Sequence, residues 1–257
     1  MHPLAEKYLR KTSLPTLFCP GCGNGTILNA TLRVLDKLGI ESFSFVSGIG
    51  CSSWLPVFIN ADVLHTMHGR ALAAATGLKL AQPKRNVLVF TGDGDCMGIG
   101  GNHLIHAARR NIDLTVVMLN NYIYGMTGGQ VSPTTPPNSK TKTSPYGNNE
   151  PDFDPAALVI AAGGGFVARE TSTQPRRLAK TLEAAIAYNG FSFIDVLSQC
   201  PIQAGRNIFG HGEPQFLFNE LKRRSVRDLS TKVAPGQFHA GILSHDPDKP
   251  AYMPVKL

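Results

Sequence analysis

TGDGDCMGIGGNHLIHAARRNIDLTVVMLNNYIYGMT, residues 91–127, follows the apolar run Asn86-Val-Leu-Val-Phe90, which has the composition of a buried parallel strand. Such a strand delivers Gly92-Asp93-Gly94 to its carboxyl end. In an open α/β sheet ligands bind beyond the carboxyl ends of the strands, and glycines there let backbone amides approach a phosphate. A second apolar run, Leu114 to Leu119, ends in Asn120-Asn121, with 26 residues between Gly94 and Asn121. That length suits one helical crossover between neighbouring parallel strands. The two strand ends then set the Asp93 carboxylate beside the Asn121 amide oxygen. Magnesium takes oxygen ligands, often one or two protein groups plus substrate phosphates, so the pair predicts a magnesium-bound diphosphate. Gly-Asp turns alone are frequent; the spacing to the asparagines carries the signal.

At 257 residues the chain can bury a sizeable core as one large α/β domain. It holds no apolar run of bilayer-spanning length, and MHPLAEKYLRKTSLP lacks the apolar core and cleavage site of a secretory signal. A cytoplasmic protein without membrane association is expected. The formal net charge is +7, yet the basic residues are scattered apart from Arg176-Arg177 and Lys222-Arg223-Arg224. No interleaving of basic and aromatic residues points to nucleic acid. The charge favours an acidic protein partner.

The five cysteines do not read as a disulfide framework. Cys19 and Cys22 form C-P-G-C, Cys51 lies in G-I-G-C-S-S, Cys96 follows the GDGD, and Cys200 precedes a proline. A CxxC, a third cysteine about thirty residues on and a distant Cys-Pro supply four thiolates for an iron–sulfur cluster. A zinc site built from four cysteines would use the same ligands. A thioredoxin-like pair fits less well because no clear strand precedes Cys19. Buried inert thiols are the remaining reading. The residues alone leave cluster and zinc evenly matched.

Along the chain, Asn24 reads as the cap of a helix carrying Ile27, Leu28, Leu32 and Leu35, ended by Gly39. Ser42 to Val46 reads as a strand, followed by the loop Ser47-Gly-Ile-Gly-Cys-Ser-Ser53. His65-Thr-Met-His-Gly-Arg70 opens an alanine-rich helix through Leu80, whose free amides could hold a phosphate, with His68 and Arg70 the side chains to watch. His103 and His106 share a helix face but have no third ligand at a useful spacing, and read as packing or surface residues. Residues 122–149 form a long Gly/Pro/Ser/Thr/Asn segment, a cover for the cofactor or a partner surface. Asp154–Ala162 and Gln174–Tyr188 read as helices, Gly165–Arg169 and Phe191–Leu197 as strands. The alternation predicts a doubly wound, mostly parallel α/β sheet. Residues 1–224 form the cofactor-binding domain, and 225–257 an extended polar tail that wraps a neighbour or is partly disordered.

Taken together, C-P-G-C-G, S-G-I-G-C-S-S, H-T-M-H-G-R-A, T-G-D-G-D, G-G-N-H-x-I-H-A-A-R-R-N, N-N-Y-I-Y-G-M-T-G-G-Q and S-P-T-T-P resemble the β subunit of 2-oxoacid:ferredoxin oxidoreductases, over about residues 15 to 205. The 2-oxoglutarate-type members are the nearest in motif. The resemblance implies a thiamine diphosphate-binding fold with magnesium on Asp93, Asn121 and the backbone carbonyl of Ile123. It implies a [4Fe–4S] cluster on Cys19, Cys22, Cys51 and Cys200, with Cys96 a non-ligand, and so breaks the tie with zinc. Ile49, Gly50, Cys51, Ser52, His68, Gly92, Gly94, Asp95, Asn121, Gly125 and Met126 would line the cofactor, with His68 its catalytic side chain.

The implied activity is coenzyme A-dependent oxidative decarboxylation of a 2-oxoacid, with electrons leaving through the cluster to ferredoxin. Several relatives carry a basic residue where Trp54 stands, near the substrate carboxylate, so the carboxylates here would have to be met from another chain. No glutamate sits in a motif suited to the aminopyrimidine ring of the cofactor. A partner α subunit is therefore expected, as a heterodimer or a pair of heterodimers. Two rivals differ in chemistry: a non-redox thiamine diphosphate decarboxylase or synthase with structural zinc, and a nucleotide-binding module without chemistry of its own.

Overall fold

Val87-Leu88-Val89-Phe90 and Leu114 to Asn120 are buried on both faces, as strands in the middle of a parallel sheet must be. A computed structural model describes residues 2–252. Its strands are β1 (Phe43–Ser47), β2 (Asp62–His65), β3 (Asn86–Gly92), β4 (Leu114–Asn120), β5 (Ile123–Tyr124), β6 (Gln130–Val131), β7 (Phe166–Thr171), β8 (Phe191–Leu197), β9 (Ser225–Val226), β10 (Phe238–His239) and β11 (Gly241–His245). The helices are α1 (Pro3–Tyr8), α2 (Gly23–Lys37), α3 (Trp54–Phe58), α4 (Ala71–Ala81), α5 (Gly101–Arg110), α6 (Pro155–Ala161), α7 (Pro175–Ala187) and α8 (Pro214–Arg224).

A 7-stranded sheet runs β11-β7-β8-β4-β3-β1-β2. Every pairing in it is parallel except that of β11 with β7. Because successive side chains of a strand face opposite ways, each central strand serves two cores. Leu88, Phe90, Val117 and Leu119 pack with α2 and α7 on one face. Val87, Val89, Val116 and Met118 pack with α4, α5 and α6 on the other. The register sets Gly92 opposite Leu119, which brings the loops after β3 and β4 together at one end of the sheet.

The predicted elements are present, with local departures. Asn24 does not cap α2: it lies inside the helix, whose N-cap position is held by Cys22. The alanine-rich helix starts only at Ala71, and Asp62–His65 forms a short edge strand that its exposed, polar sequence conceals. Between Gly94 and Ile99 the chain makes a wide helical turn before α5 begins.

The segment after Ser225 joins the domain rather than trailing from it. β9 pairs with β10, and β11 extends the main sheet along β7. Residues 253–257 of the expected tail lie outside the described residues. Arg227 anchors this segment. Its guanidinium donates at 2.9 and 2.6 Å to the two carboxylate oxygens of Glu170, a residue 1% exposed in β7 that also accepts from Thr181 Oγ1 at 2.9 Å. Removing one partner of a buried pair leaves an uncompensated charge, so Arg227→Ala is expected to cost about 3 kcal/mol of folding stability, the low end of the range because Arg227 is partly exposed. Denaturant unfolding would read this as a lower midpoint at unchanged slope.

Candidate active site

The loops after β1, β3 and β4 open into a cleft lined by Ile49, Gly50, Cys51, Ser52, His68, Gly92, Asp93, Gly94, Asp95, Asn121, Ile123, Gly125 and Met126, together with Asn24, Leu119, Tyr124 and Thr127. All the residues expected to line the cofactor, and the three expected to hold magnesium, thus meet in one place.

Asp93 is 2% exposed, and its Oδ2 accepts from Ser132 Oγ at 2.5 Å and Thr134 Oγ1 at 2.7 Å. Burial pushes its carboxyl up to about 6, against the pull of those hydroxyls. A buried carboxylate whose side-chain partners are neutral hydroxyls suits a hard divalent cation. The neighbouring asparagines divide their work. Asn120 is a structural residue: its Nδ2 donates to Asp195 Oδ1 at 3.1 Å and its Oδ1 accepts from Thr134 Oγ1 at 3.0 Å. Asn121 faces the cleft, its Oδ1 accepting from the Ile123 amide at 3.2 Å. Between them and Ile123, Tyr122 takes a left-handed conformation (φ 66°) that turns the chain back.

Asp95 organises the opposite wall. Its Oδ1 accepts from the amides of Ile49 at 3.2 Å and Gly69 at 2.7 Å, and its Oδ2 accepts from Thr91 Oγ1 at 2.7 Å. A Cβ on Gly48 would fall 2.2 Å from Asp95 Oδ2, so only glycine admits this approach. His68 Nδ1 lies 2.9 Å from Asp95 Oδ1 but is not aligned to share a hydrogen with it. The contact places the ring against the Asp95 carboxylate. The expected phosphate site at the start of α4 is changed by this arrangement. Its Gly69 amide serves Asp95, and Arg70 reaches the carbonyls of Gly69 and Ile99 instead, each at 3.4 Å.

Three contributors escape a reading of the sequence. Tyr124 donates from its hydroxyl to the Gly94 carbonyl at 3.0 Å and covers that glycine so closely that a Cβ would sit 2.2 Å from the ring. Ser132 and Thr134 come from the long segment expected to act as a cover, and serve instead as the floor under Asp93. Their signal was the S-P-T-T-P motif, whose hydroxyls had no assigned role. Trp54 packs against the core beside α2, so the position that is basic in several relatives presents no charge here.

Four cysteines gather at the same end of the sheet. Cys22 donates its amide to the Cys19 carbonyl at 3.0 Å, and Gly23 donates to Gln199 O at 3.0 Å, which ties the C-P-G-C loop to the segment of Cys200. Burial pushes the Cys22 thiol up to about 12 and Cys51 to about 11, and each is raised further by other cysteines of the set. Cys200 is raised by burial and by Cys19. Cys96 lies apart, buried in the second core. Among the described residues no three His, Cys, Asp or Glu converge closely enough to hold one ion. Cys19, Cys22, Cys51 and Cys200 stand within electrostatic reach of one another.

The cleft and the sheet that carries it define a thiamine diphosphate-binding protein, and residues 48–196 match the family model described as "Thiamine pyrophosphate enzyme, C-terminal TPP binding domain". The 2-oxoglutarate synthase subunit KorB of Methanocaldococcus jannaschii is 49% identical over 249 residues, 93% of this chain and 92% of the relative. That of Methanothermobacter marburgensis is 55% identical over 247 residues, 94% of this chain and 87% of the relative. The structure of a 2-oxoglutarate:ferredoxin oxidoreductase from Magnetococcus marinus, with 2-oxoglutarate, coenzyme A and succinyl-CoA bound, superimposes with a TM-score of 0.86 at 34% identity, covering 96% of this chain and 86% of that one. The chain belongs to the β subunits of the 2-oxoacid:ferredoxin oxidoreductases.

Groups that orient a metal's ligands typically govern affinity by 10- to 100-fold. Thr134→Val, which keeps the shape but removes the hydroxyl from Asp93, is expected to weaken magnesium-dependent thiamine diphosphate binding by about 10-fold, and Asp93→Ala to abolish it. Titration calorimetry would check both; wild-type affinity in Asp93→Ala would refute the magnesium assignment.

Proposed function

We propose that this chain is the catalytic β subunit for coenzyme A-dependent oxidative decarboxylation of 2-oxoglutarate, passing electrons through a [4Fe–4S] cluster to ferredoxin. The observation that carries the reading is the double role of one loop. Ile49–Ser52 walls the cofactor cleft, and Cys51 within it lies in reach of Cys19 and Cys200 on one side and Asp93 on the other. A redox centre on these thiolates would border the carbon chemistry without a further carrier. The match to a 2-oxoglutarate:ferredoxin oxidoreductase supports a cluster over zinc, because zinc has no redox chemistry and could not pass electrons to ferredoxin.

Asp93, Asn121 and the Ile123 carbonyl would hold magnesium and through it the diphosphate. When bound, thiamine diphosphate supplies a carbanionic carbon for attack on the 2-oxo group and a sink for the charge left by loss of CO2. Asp95 holds the Ile49 and Gly69 amides in place, and His68, whose Nδ1 lies beside it, has its ring 5.9 Å from that of Tyr124. His68 would be the side chain that exchanges a proton with substrate in the cleft. Trp54 offers the substrate no cation, so its carboxylates fall to the partner.

The rim supports a partner subunit. Ile49, Met67, Ile99 and Met126 are 39%, 75%, 48% and 44% exposed around the cleft mouth, an apolar border that a second chain would cover. That chain would be an α subunit that completes the aminopyrimidine end of the site and meets coenzyme A. The net charge of +7 would favour an acidic acceptor such as ferredoxin, with a rate falling as salt rises.

Two measurements test the reading. Anaerobic iron and sulfide analysis should find four irons per chain, with Cys200→Ser losing the cluster and Cys96→Ser keeping it; equal loss in the two variants would discard the ligand set. The isolated chain should fail to reduce a viologen dye with 2-oxoglutarate and coenzyme A, and adding the larger subunit should restore turnover. Full activity in isolation would exclude a shared site.

A further inference from the structure

One buried side chain reaches all three cysteine-bearing segments. Asn24, 2% exposed, stands two residues after Cys22 inside α2. Its Nδ2 donates to the Cys51 carbonyl at 3.3 Å, and its Oδ1 accepts at 3.0 Å from Ser198 Oγ, two residues before Cys200. The same residue lines the cofactor cleft. Asparagine is a weak helix former, and Asn24 plays no capping role, so its local helix does not account for it. The two bonds do. They need a donor and an acceptor on one short side chain, which rules out Ala and leaves Asp without the donor.

We propose that Asn24 is the positioning residue that sets Cys22, Cys51 and Cys200 relative to one another and fixes that arrangement against the cofactor cleft. The inference rests on the reading of the four cysteines as cluster ligands. Thiolates placed by three separate segments hold a cluster evenly only if the segments cannot drift. Among the described residues, the C-P-G-C loop has a backbone bond to the Gln199 segment but none to Cys51. Asn24 supplies that missing tie. With it gone, the Cys51 loop keeps its Ile49 bond to Asp95 but loses its direct bond to the other two segments.

The test uses the complex with its partner subunit, prepared anaerobically. It reads iron and sulfide content, the electron paramagnetic resonance spectrum of the reduced protein, and the rate at which a ferrous chelator removes iron. Asn24→Ala is expected to lose iron at least about tenfold faster than wild type, the lower end of the effect of groups that orient metal ligands, and to broaden the spectrum. Asn24→Asp, which keeps the acceptor for Ser198 and loses the donor to Cys51, should lie between. Leu104→Ala, a cavity in the opposite core on α5, reports general destabilisation and should release iron at the wild-type rate. Wild-type release and spectrum in both Asn24 variants would overturn the proposal, as would equal acceleration in Leu104→Ala. Should Asn24→Ala fail to fold, Asn24→Asp decides alone. A wild-type complex without iron would instead remove the cluster reading on which the proposal stands.

Discussion

The site depends on a buried carboxylate that binds backbone. Asp95 gathers amides from the loop after β1 and from the turn before α4, and a hydroxyl from β3. Each segment alone is a turn with free N–H groups, which cost free energy when buried without a partner. One negative group satisfies them together, so the loops share a single geometry. The wall of the cleft is thus held by bonds within the chain, the kind of preorganisation that electrostatic catalysis requires.

A second network lies behind the first. Thr134 joins Asp93 to Asn120, Asn120 joins Asp195, and Arg169 Nε donates to Asp195 at 2.8 Å while its other end pairs with Asp154. Burial holds Asp195 above the usual carboxylate range even so. The Thr134 hydroxyl has one hydrogen for two acceptors, Asp93 and Asn120. The floor of the cleft and the interior of the sheet are therefore not independent.

How much of this is legible in the sequence follows from distance along the chain. The strands β3 and β4 and the crossover between them are fixed by local pattern and by one loop length, and they stand as read; Asp93 and Asn121 both line the cleft at their ends. So do the segments that converge on the cleft, because each ends a strand in the same sheet. What the pattern could not give are contacts chosen by tertiary geometry. Asn24 has the chemistry of a helix cap, and only the approach of Cys51 and Ser198 makes it a cross-link. Ser132 and Thr134 are two hydroxyls in a loop full of them. β2 is short and exposed, without the apolar run that marks its neighbours. The polar stretch from Ser225 looks unable to pack, yet Arg227 finds a buried carboxylate 57 residues away in sequence.

The short antiparallel strand β11 has a bearing on how such a chain can assemble. A parallel sheet left open at β7 would present a row of unpaired amides and carbonyls, a template for adding another chain. β11 closes that row, and its ladder with β7 carries a register shift between Ile242 and Ser244, an irregularity of the kind that bends an edge strand. At the far side β2 is 4 residues long, with Asp62 engaged by Arg85 and His65 exposed. Both borders are thereby poor seeds for sheet-to-sheet fibre growth. The loop-bearing end of the sheet, by contrast, holds the cleft.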